Sequence, residues 1–206
     1  MENFRHLQDT SLYTPRPYQK EGLDAVRTEY EKGNNRQLVT WATGCGKSSG
    51  LLMHLPKKFP HLFSQHGLLF INNRRNILFQ TYEKFQNAYP HVHCGLEMGE
   101  YEASGLEDVV FMSSESVGRE YQNRIRKYKN RTFGIVVADE AHYVKENSPW
   151  SRILNYFGVG DDTSRHYTVT VDGEKKDPLS VFLTATPNRE DGNGLYPWLD
   201  TIAHGY

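Results

Sequence analysis

The residues with the types and spacing for chemistry on a phosphate group fall in two short stretches. The first is Trp41-Ala42-Thr43-Gly44-Cys45-Gly46-Lys47-Ser48. Gly44 and Gly46 permit backbone angles closed to other residues, so a loop built on them turns its N–H groups inward. Thr43 and Cys45 complete that cradle. Lys47 adds a positive point charge for outer phosphates, and the Ser48 hydroxyl is a ligand suited to Mg²⁺. The general pattern has glycine six residues before the lysine, and Trp41 stands there instead. The plain alternative is a chance Gly-Lys-Ser turn.

The second stretch is Asp139-Glu140-Ala141-His142, at the end of an apolar run. Two adjacent carboxylates at the edge of a buried strand are costly unless positive charge meets them. A magnesium ion supplies that charge, with Asp139 helping to hold it, partly through water. Glu140 then has a purpose as the acid that orients and polarises an attacking water. The plain alternative is a helix start with acidic residues in its first turn. His142 has no second His or Cys at ligand spacing, which favours a coupling role through hydrogen bonds over metal binding.

These groups need elements to position them. Gln37–Thr40 reads as a short strand leading into the glycine loop, with a helix from Lys47 to about Leu55, ending before Pro56. Upstream, Pro15-Arg16-Pro17-Tyr18-Gln19-Lys20 opens a helix whose apolar residues Tyr18, Leu23, Val26 and Tyr30 recur at roughly helical spacing, with Gly33 placed to stop it. The Gln19 amide both donates and accepts, which suits the edge of adenine. Continuous apolar runs at 68–72, 108–112, 133–138 and 179–183 read as buried parallel strands. They deliver further polar groups to one sheet edge: Arg74 and Arg75 at the head of a helix reaching about Ala88, Ser113 and Ser116, and Thr184 and Thr186. The serine hydroxyls suit a sugar-phosphate backbone or a helix cap. A helix over about 116–129 carries Arg119, Arg124, Arg126, Lys127 and Lys129 and reads as a solvated basic face. Pro149–Phe157 reads as a short helix. Residues 161–177 read as an inserted hairpin turning at Asp172-Gly173. The tail holds a helical piece near Leu195–Leu199 and no further sheet pattern, and residues 1–14 read as a polar lead-in.

Composition sets outer bounds. Hydrophobic residues make up 37%, charged residues 24%, and the formal net charge is −1, a globular balance with no global attraction for polyanions. A nucleic-acid surface would have to be a local patch. The two cysteines, Cys45 and Cys94, include one inside the glycine loop, which favours a reduced, intracellular setting. No apolar run approaches the ~20 residues of a membrane helix, so no membrane partner is expected.

Four motifs now stand in order: Arg-Pro-Tyr-Gln (16–19), Ala-Thr-Gly-Cys-Gly-Lys-Ser (42–48), Asp-Glu-Ala-His (139–142) and Leu-Thr-Ala-Thr-Pro (183–187). Their series resembles superfamily-two helicases, within them the DEAH-box group related to type I and III restriction-enzyme translocases. The resemblance runs over about residues 15–203. It implies a RecA-like P-loop α/β domain, a mainly parallel sheet with helices on both faces. It implies ATP and Mg²⁺ as cofactors and DNA or RNA as partner. Position by position, it implies that Gln19 reads adenine with Arg16 as its partner, and that Gly44, Gly46, Lys47 and Ser48 bind phosphate and the ion. Arg75 and Gln80 match a strand-contacting segment, and Ser113 and Ser116 a further backbone-contacting one. Asp139 and Glu140 match the ion-holding and water-activating acids, and Thr184 and Thr186 the motif coupling ATP state to nucleic-acid grip. An apolar residue commonly stands where Trp41 does.

The resemblance also implies a second RecA-like domain, carrying an arginine finger, expected C-terminal to this one. Two rivals remain at this level. A P-loop kinase or GTPase is one, although no guanine-reading Asn-Lys-x-Asp segment is present. An ATP-gated binding module without strand separation is the other, against which Glu140 weighs.

Overall fold

A computed structural model describes residues 13–42, 44–118, 123–186 and 201–203, without the side chains of Ser49 and 201–203. Among these residues, seven strands form one sheet: β1 (Arg36–Thr40), β2 (Leu68–Asn72), β3 (Cys94–Glu97), β4 (Val109–Ser113), β5 (Ile135–Asp139), β8 (Leu179–Thr184) and β9 (Thr201–Ala203). Their spatial order is β3-β4-β2-β5-β8-β1-β9, and every pair is parallel. Parallel strands share one carboxyl edge, so the sequels of β1, β2, β4, β5 and β8 all emerge on the same side.

The apolar runs alternate between two cores. In β2, Leu68 and Phe70 face one cluster while Leu69 and Ile71 face the other. The first cluster is roofed by α1 (Pro17–Glu31), α2 (Leu55–Lys58), α3 (Pro60–His66) and α4 (Arg75–Ala88) through Leu23, Val26, Leu55, Leu62, Phe63, Leu78 and Phe85. The second is roofed by α5 (Ser114–Val117) and α6 (Pro149–Tyr156) through Val117, Trp150, Ile153 and Leu154. Helices therefore cover both faces, as expected for an all-parallel sheet.

Several expectations are corrected. The helix after the glycine loop is not continuous from Lys47 to Leu55. A π-helical turn covers Lys47–Leu51, and α2 starts afresh at Leu55 with Pro56 in its first turn, where a missing N–H is harmless. The 116–129 helix is replaced by α5 and a 3₁₀ segment, Asn123–Tyr128; Arg119 lies outside the described residues. Its basic residues are not simply solvated. Lys127 Nζ lies 2.9 Å and Arg124 Nε 3.2 Å from the carboxylate of Glu97, a residue with no exposed surface. The Tyr128 hydroxyl donates to the same carboxylate at 3.0 Å. The tail does add to the sheet, since β9 pairs with β1 from Gln37↔Thr201. Three residues are too few to show a period. The helical piece near 195–199 lies outside the described residues.

The inserted hairpin is present as β6 (Val169–Val171) and β7 (Glu174–Lys176), turning through Asp172 and Gly173 at φ +51° and +84°. It docks at the amino edge of the sheet. The Tyr167 hydroxyl donates to the Phe133 carbonyl at 3.0 Å and accepts the Phe133 N–H at 3.1 Å. Among the described residues, no helix is long and apolar enough to cross a membrane.

Candidate nucleotide and nucleic-acid site

The glycine loop leaves β1 at the carboxyl edge. Trp41 is 2% exposed and stacks edge-on against Tyr18, ring centres 5.8 Å apart. Its N–H continues the β1–β8 ladder to the Thr184 carbonyl at 3.1 Å. The position therefore takes a bulky apolar residue because it belongs to the core. Gly44 and Gly46 stand at φ +85° and +68°, in the left-handed region where a side chain is disfavoured. Thr43 lies outside the described residues. The Lys47 side chain is folded inward, its ammonium donating to the Ala42 carbonyl at 3.4 Å, and the residue is 8% exposed.

The loop meets the carboxylate pair directly. Ser48 Oγ donates to Asp139 Oδ2 at 2.5 Å across 91 positions of sequence. Asn72 Nδ2 donates to the same oxygen at 2.9 Å, and the Glu140 N–H reaches Asp139 Oδ1 at 3.1 Å. Asp139 is 2% exposed. Burial pushes its carboxyl above the usual aspartate range, more than the bonds from Ser48 and Asn72 pull it down, and the Glu140 charge adds to the rise. Asn72 was missed by sequence reasoning. Its one signal is an amide ending the otherwise apolar run of β2, and only the pairing of β2 with β5 gives that amide a target.

Glu140 adopts φ +59°, ψ +46°, a conformation that costs a non-glycine residue about 1–3 kcal/mol. This twist ends β5 at Asp139. His142 Nδ1 lies 3.5 Å from Glu140 Oε2 and 3.1 Å from the Thr184 hydroxyl. That hydroxyl donates to the Thr186 carbonyl at 2.8 Å and accepts the Thr186 N–H at 3.1 Å. Glu140, His142, Thr184 and Thr186 thus form one polar chain between β5 and β8.

On the other side of the loop, Gln19 ties α1 to the glycines. Its Nε2 donates to the Cys45 carbonyl at 3.0 Å, and its Oε1 accepts the Arg16 N–H at 2.9 Å. The Tyr18 hydroxyl donates to the same Cys45 carbonyl at 2.9 Å, and Arg16 Nη1 donates to that hydroxyl at 3.3 Å. A Cβ on Gly50 would stand 2.2 Å from Gln19 Nε2, so α1 and the loop are in close contact. One lone pair and one N–H of the amide remain for a base. Gln19 also lines a cavity of about 200 Å³, with Tyr13, Arg16 and His54. Burial lowers the His54 pKa below its ordinary value, with Lys57 adding to the shift. Tyr13 and His54 were not identified from sequence, and Tyr13 lay in what reads as a lead-in.

The four residues expected to touch a strand are spread along the same edge. Arg75 opens α4, and its Nη2 pairs with Glu100 Oε2 at 2.9 Å, both side chains exposed. Gln80 is exposed on α4. Ser113 is buried, and its Oγ accepts the Ser116 N–H at 3.3 Å, which makes it the α5 cap. Ser116 Oγ accepts the Gly99 N–H at 3.0 Å. The Gly99–Glu100 turn therefore links Arg75 to Ser116.

Comparison with known proteins bears on the arrangement. The sequence profile of the family described as type III restriction enzyme, res subunit (ResIII), matches residues 12–189. The chain is 34% identical over 190 residues to irc3 of Schizosaccharomyces pombe, whose name marks it as a candidate mitochondrial ATP-dependent helicase. It is 27% identical over 194 residues to the Saccharomyces cerevisiae IRC3, likewise named as a candidate ATP-dependent helicase. Each alignment covers 92% of this chain but only 28% and 26% of those proteins, so the chain spans about a quarter of their length. Among solved structures, the SWI2/SNF2 ATPase core of Sulfolobus solfataricus in complex with dsDNA superposes with a TM-score of 0.59 at 20% identity, over 91% of this chain and 35% of that one. The helicase domain of Pyrococcus furiosus Hef gives 0.58 at 16% identity, over 84% and 33%. These likenesses establish the RecA-like fold.

Proposed function

The chain belongs to the ResIII family, and from that premise we propose that it is the first motor domain of an ATP-driven helicase or translocase acting on DNA or RNA. The observation that carries the reading is the 2.5 Å contact between Ser48 of the glycine loop and the buried Asp139. It brings the phosphate cradle and the acid pair to one point on the sheet edge.

The chemistry follows from the side chains. Loop N–H groups and the Lys47 ammonium bind the phosphates of ATP, and Gln19 with Arg16 holds the adenine. Ser48 and Asp139 offer hard oxygen ligands, and the raised carboxyl of Asp139 marks a charge that lacks a counterion. No group of three or more His, Cys, Asp or Glu among the described residues is placed to hold a metal. That suits Mg²⁺, which takes one or two protein oxygens and completes its shell with water and substrate phosphate. Bound there, the ion would neutralise charge on the phosphates. Glu140 orients a water in line with the terminal phosphate and accepts its proton, giving ADP and inorganic phosphate. The chain from Glu140 through His142 to Thr184 and Thr186 reports the state of that phosphate toward the strand-binding edge. Arg75, Gln80 and Ser116 lie along that edge and contact the backbone; Ser113 acts by holding α5 in place. Both cysteines are free, in keeping with an intracellular setting.

In the full-length protein, Glu140→Gln is expected to lower nucleic-acid-stimulated ATP turnover by about 10²–10⁴-fold, the usual share of a positioned base, with ATP affinity little changed. Unchanged steady-state turnover would remove Glu140 from this role.

A further inference from the structure

A second concavity, of about 380 Å³ and separate from the nucleotide cavity, lies beside α6. It starts at Val117 and Gly118, where the chain leaves α5, and reaches Asp162 and Arg165 beyond the end of α6. Gly118 abuts the Pro149 carbonyl at the start of α6, so the groove follows the helix from one end to the other. Among the described residues, Arg126, Arg152 and Arg165 line it together with the carboxylate of Asp162.

The groups are held in place. Arg152 Nη1 donates to the Gly118 carbonyl at 3.3 Å, and Arg165 Nε pairs with Asp162 at 3.1 Å. The Tyr156 hydroxyl is buried with no hydrogen-bond partner among the described residues. Burial raises its pKa and the nearby Arg126 opposes the rise, so the phenol stays a donor at neutral pH. Guanidinium forks match phosphate geometry, and an eight-residue helix runs about 12 Å. At ~3.4 Å of rise per nucleotide, that length takes about three nucleotides of one strand. A groove of this length beginning next to Ser116 suits a phosphodiester chain better than a single anion.

We propose that this groove is an additional phosphate track, carrying the backbone of a bound nucleic acid from the Ser113–Gly118 edge past Arg126, Arg152 and Arg165. The inference rests on the reading that nucleic acid binds that edge.

The test is fluorescence anisotropy of the full-length protein with a fluorescein-labelled DNA duplex, and with the RNA duplex of the same sequence, over a series of salt concentrations. For Arg126→Gln/Arg165→Gln, the slope of log K against log salt should fall by about 1 for each phosphate that is no longer neutralised, with ATP affinity unchanged. Arg126→Lys/Arg165→Lys should recover the slope, which a merely structural role would not require. If the glutamine pair matches wild type while Arg75→Ala weakens binding, the track is wrong and the edge reading stands. If the wild-type protein binds neither duplex, both are overturned.

Discussion

Asp139 sits where several demands meet. It is almost wholly buried, next to Glu140, and receives neutral hydrogen bonds from Ser48 and Asn72 rather than a cation. Its pKa is raised, so the folded state binds the proton more tightly than the unfolded chain does. By linkage, this group's contribution works against the fold as pH rises from the ordinary aspartate value of 3.8 through its raised value. An asparagine carbonyl oxygen at this position can accept the bonds from Ser48 and Asn72 without the charge, giving up only the one from the Glu140 N–H. Without nucleotide, Asp139→Asn should therefore melt at or above the wild-type temperature at neutral pH, with the gap closing in acid. Each kcal/mol is worth about 2–4 °C in a chain of this size. The same variant should lose the extra thermal stabilisation that Mg²⁺ adds to ATP. A lower melting temperature for the apo variant at neutral pH would mean that Asp139 contributes its charge to an ion pair instead. At this scale the sequence was informative about proximity. That the loop holding Lys47 and Ser48 meets the Asp139–Glu140 stretch was legible, because a glycine-rich turn and paired carboxylates at strand ends have few structural uses, and the structure does bring Ser48 to Asp139. Asn72, Tyr18 and His54 were not, because each owes its position to a partner 27 or more residues away or to a cavity wall.

Among the elements, legibility followed burial on two faces. Continuous apolar runs gave β2, β4, β5 and β8 to within two residues, since a central parallel strand has no polar side to break the run. β3, Cys94–Glu97, was missed because Cys-Gly-Leu-Glu offers neither a run nor a period, and its terminal Glu97 is buried only by virtue of Arg124, Lys127 and Tyr128. The basic stretch 124–129 looked solvated for the same reason: its partner is about 30 residues upstream. The hairpin was legible from Asp172-Gly173. Tyr167 packs at the amino edge, away from Asp139, with burial raising its hydroxyl pKa to about 12. Tyr167→Phe leaves the Phe133 N–H and carbonyl without these partners, which should cost about 1–3 kcal/mol of stability and leave ATP affinity unchanged. Chemical denaturation and nucleotide titration of one variant check both halves. A loss of ATP affinity with intact stability would place the hairpin in the motor rather than in the scaffold.

For the whole molecule, the RecA-like domain presents, on the proposed reading, half of a nucleotide site. The glycine loop contacts the acid pair through Ser48 and Asp139 and contacts α1 through Gln19, so in the proposed function all three would approach the phosphates and base from a single side. The full-length protein is proposed to close a second domain over the other side, supplying an arginine that in related phosphoryl transfers is worth about 10³–10⁵ in turnover. The 206-residue chain alone should therefore hydrolyse ATP at least ~10³-fold more slowly than the full-length protein on nucleic acid, and separate no strands. Robust multiple-turnover strand separation by the isolated chain would contradict this division of labour.

The central claim is convergence of the Lys47 loop and the Asp139–Glu140 pair on one triphosphate. The most direct measurement is a crystal structure with a non-hydrolysable ATP analogue and Mg²⁺. The account predicts phosphates within the Gly44–Lys47 loop, the ion between Ser48 and Asp139, and adenine beside Gln19. A nucleotide bound elsewhere, or an ion that leaves both Ser48 and Asp139 uncoordinated, would contradict it.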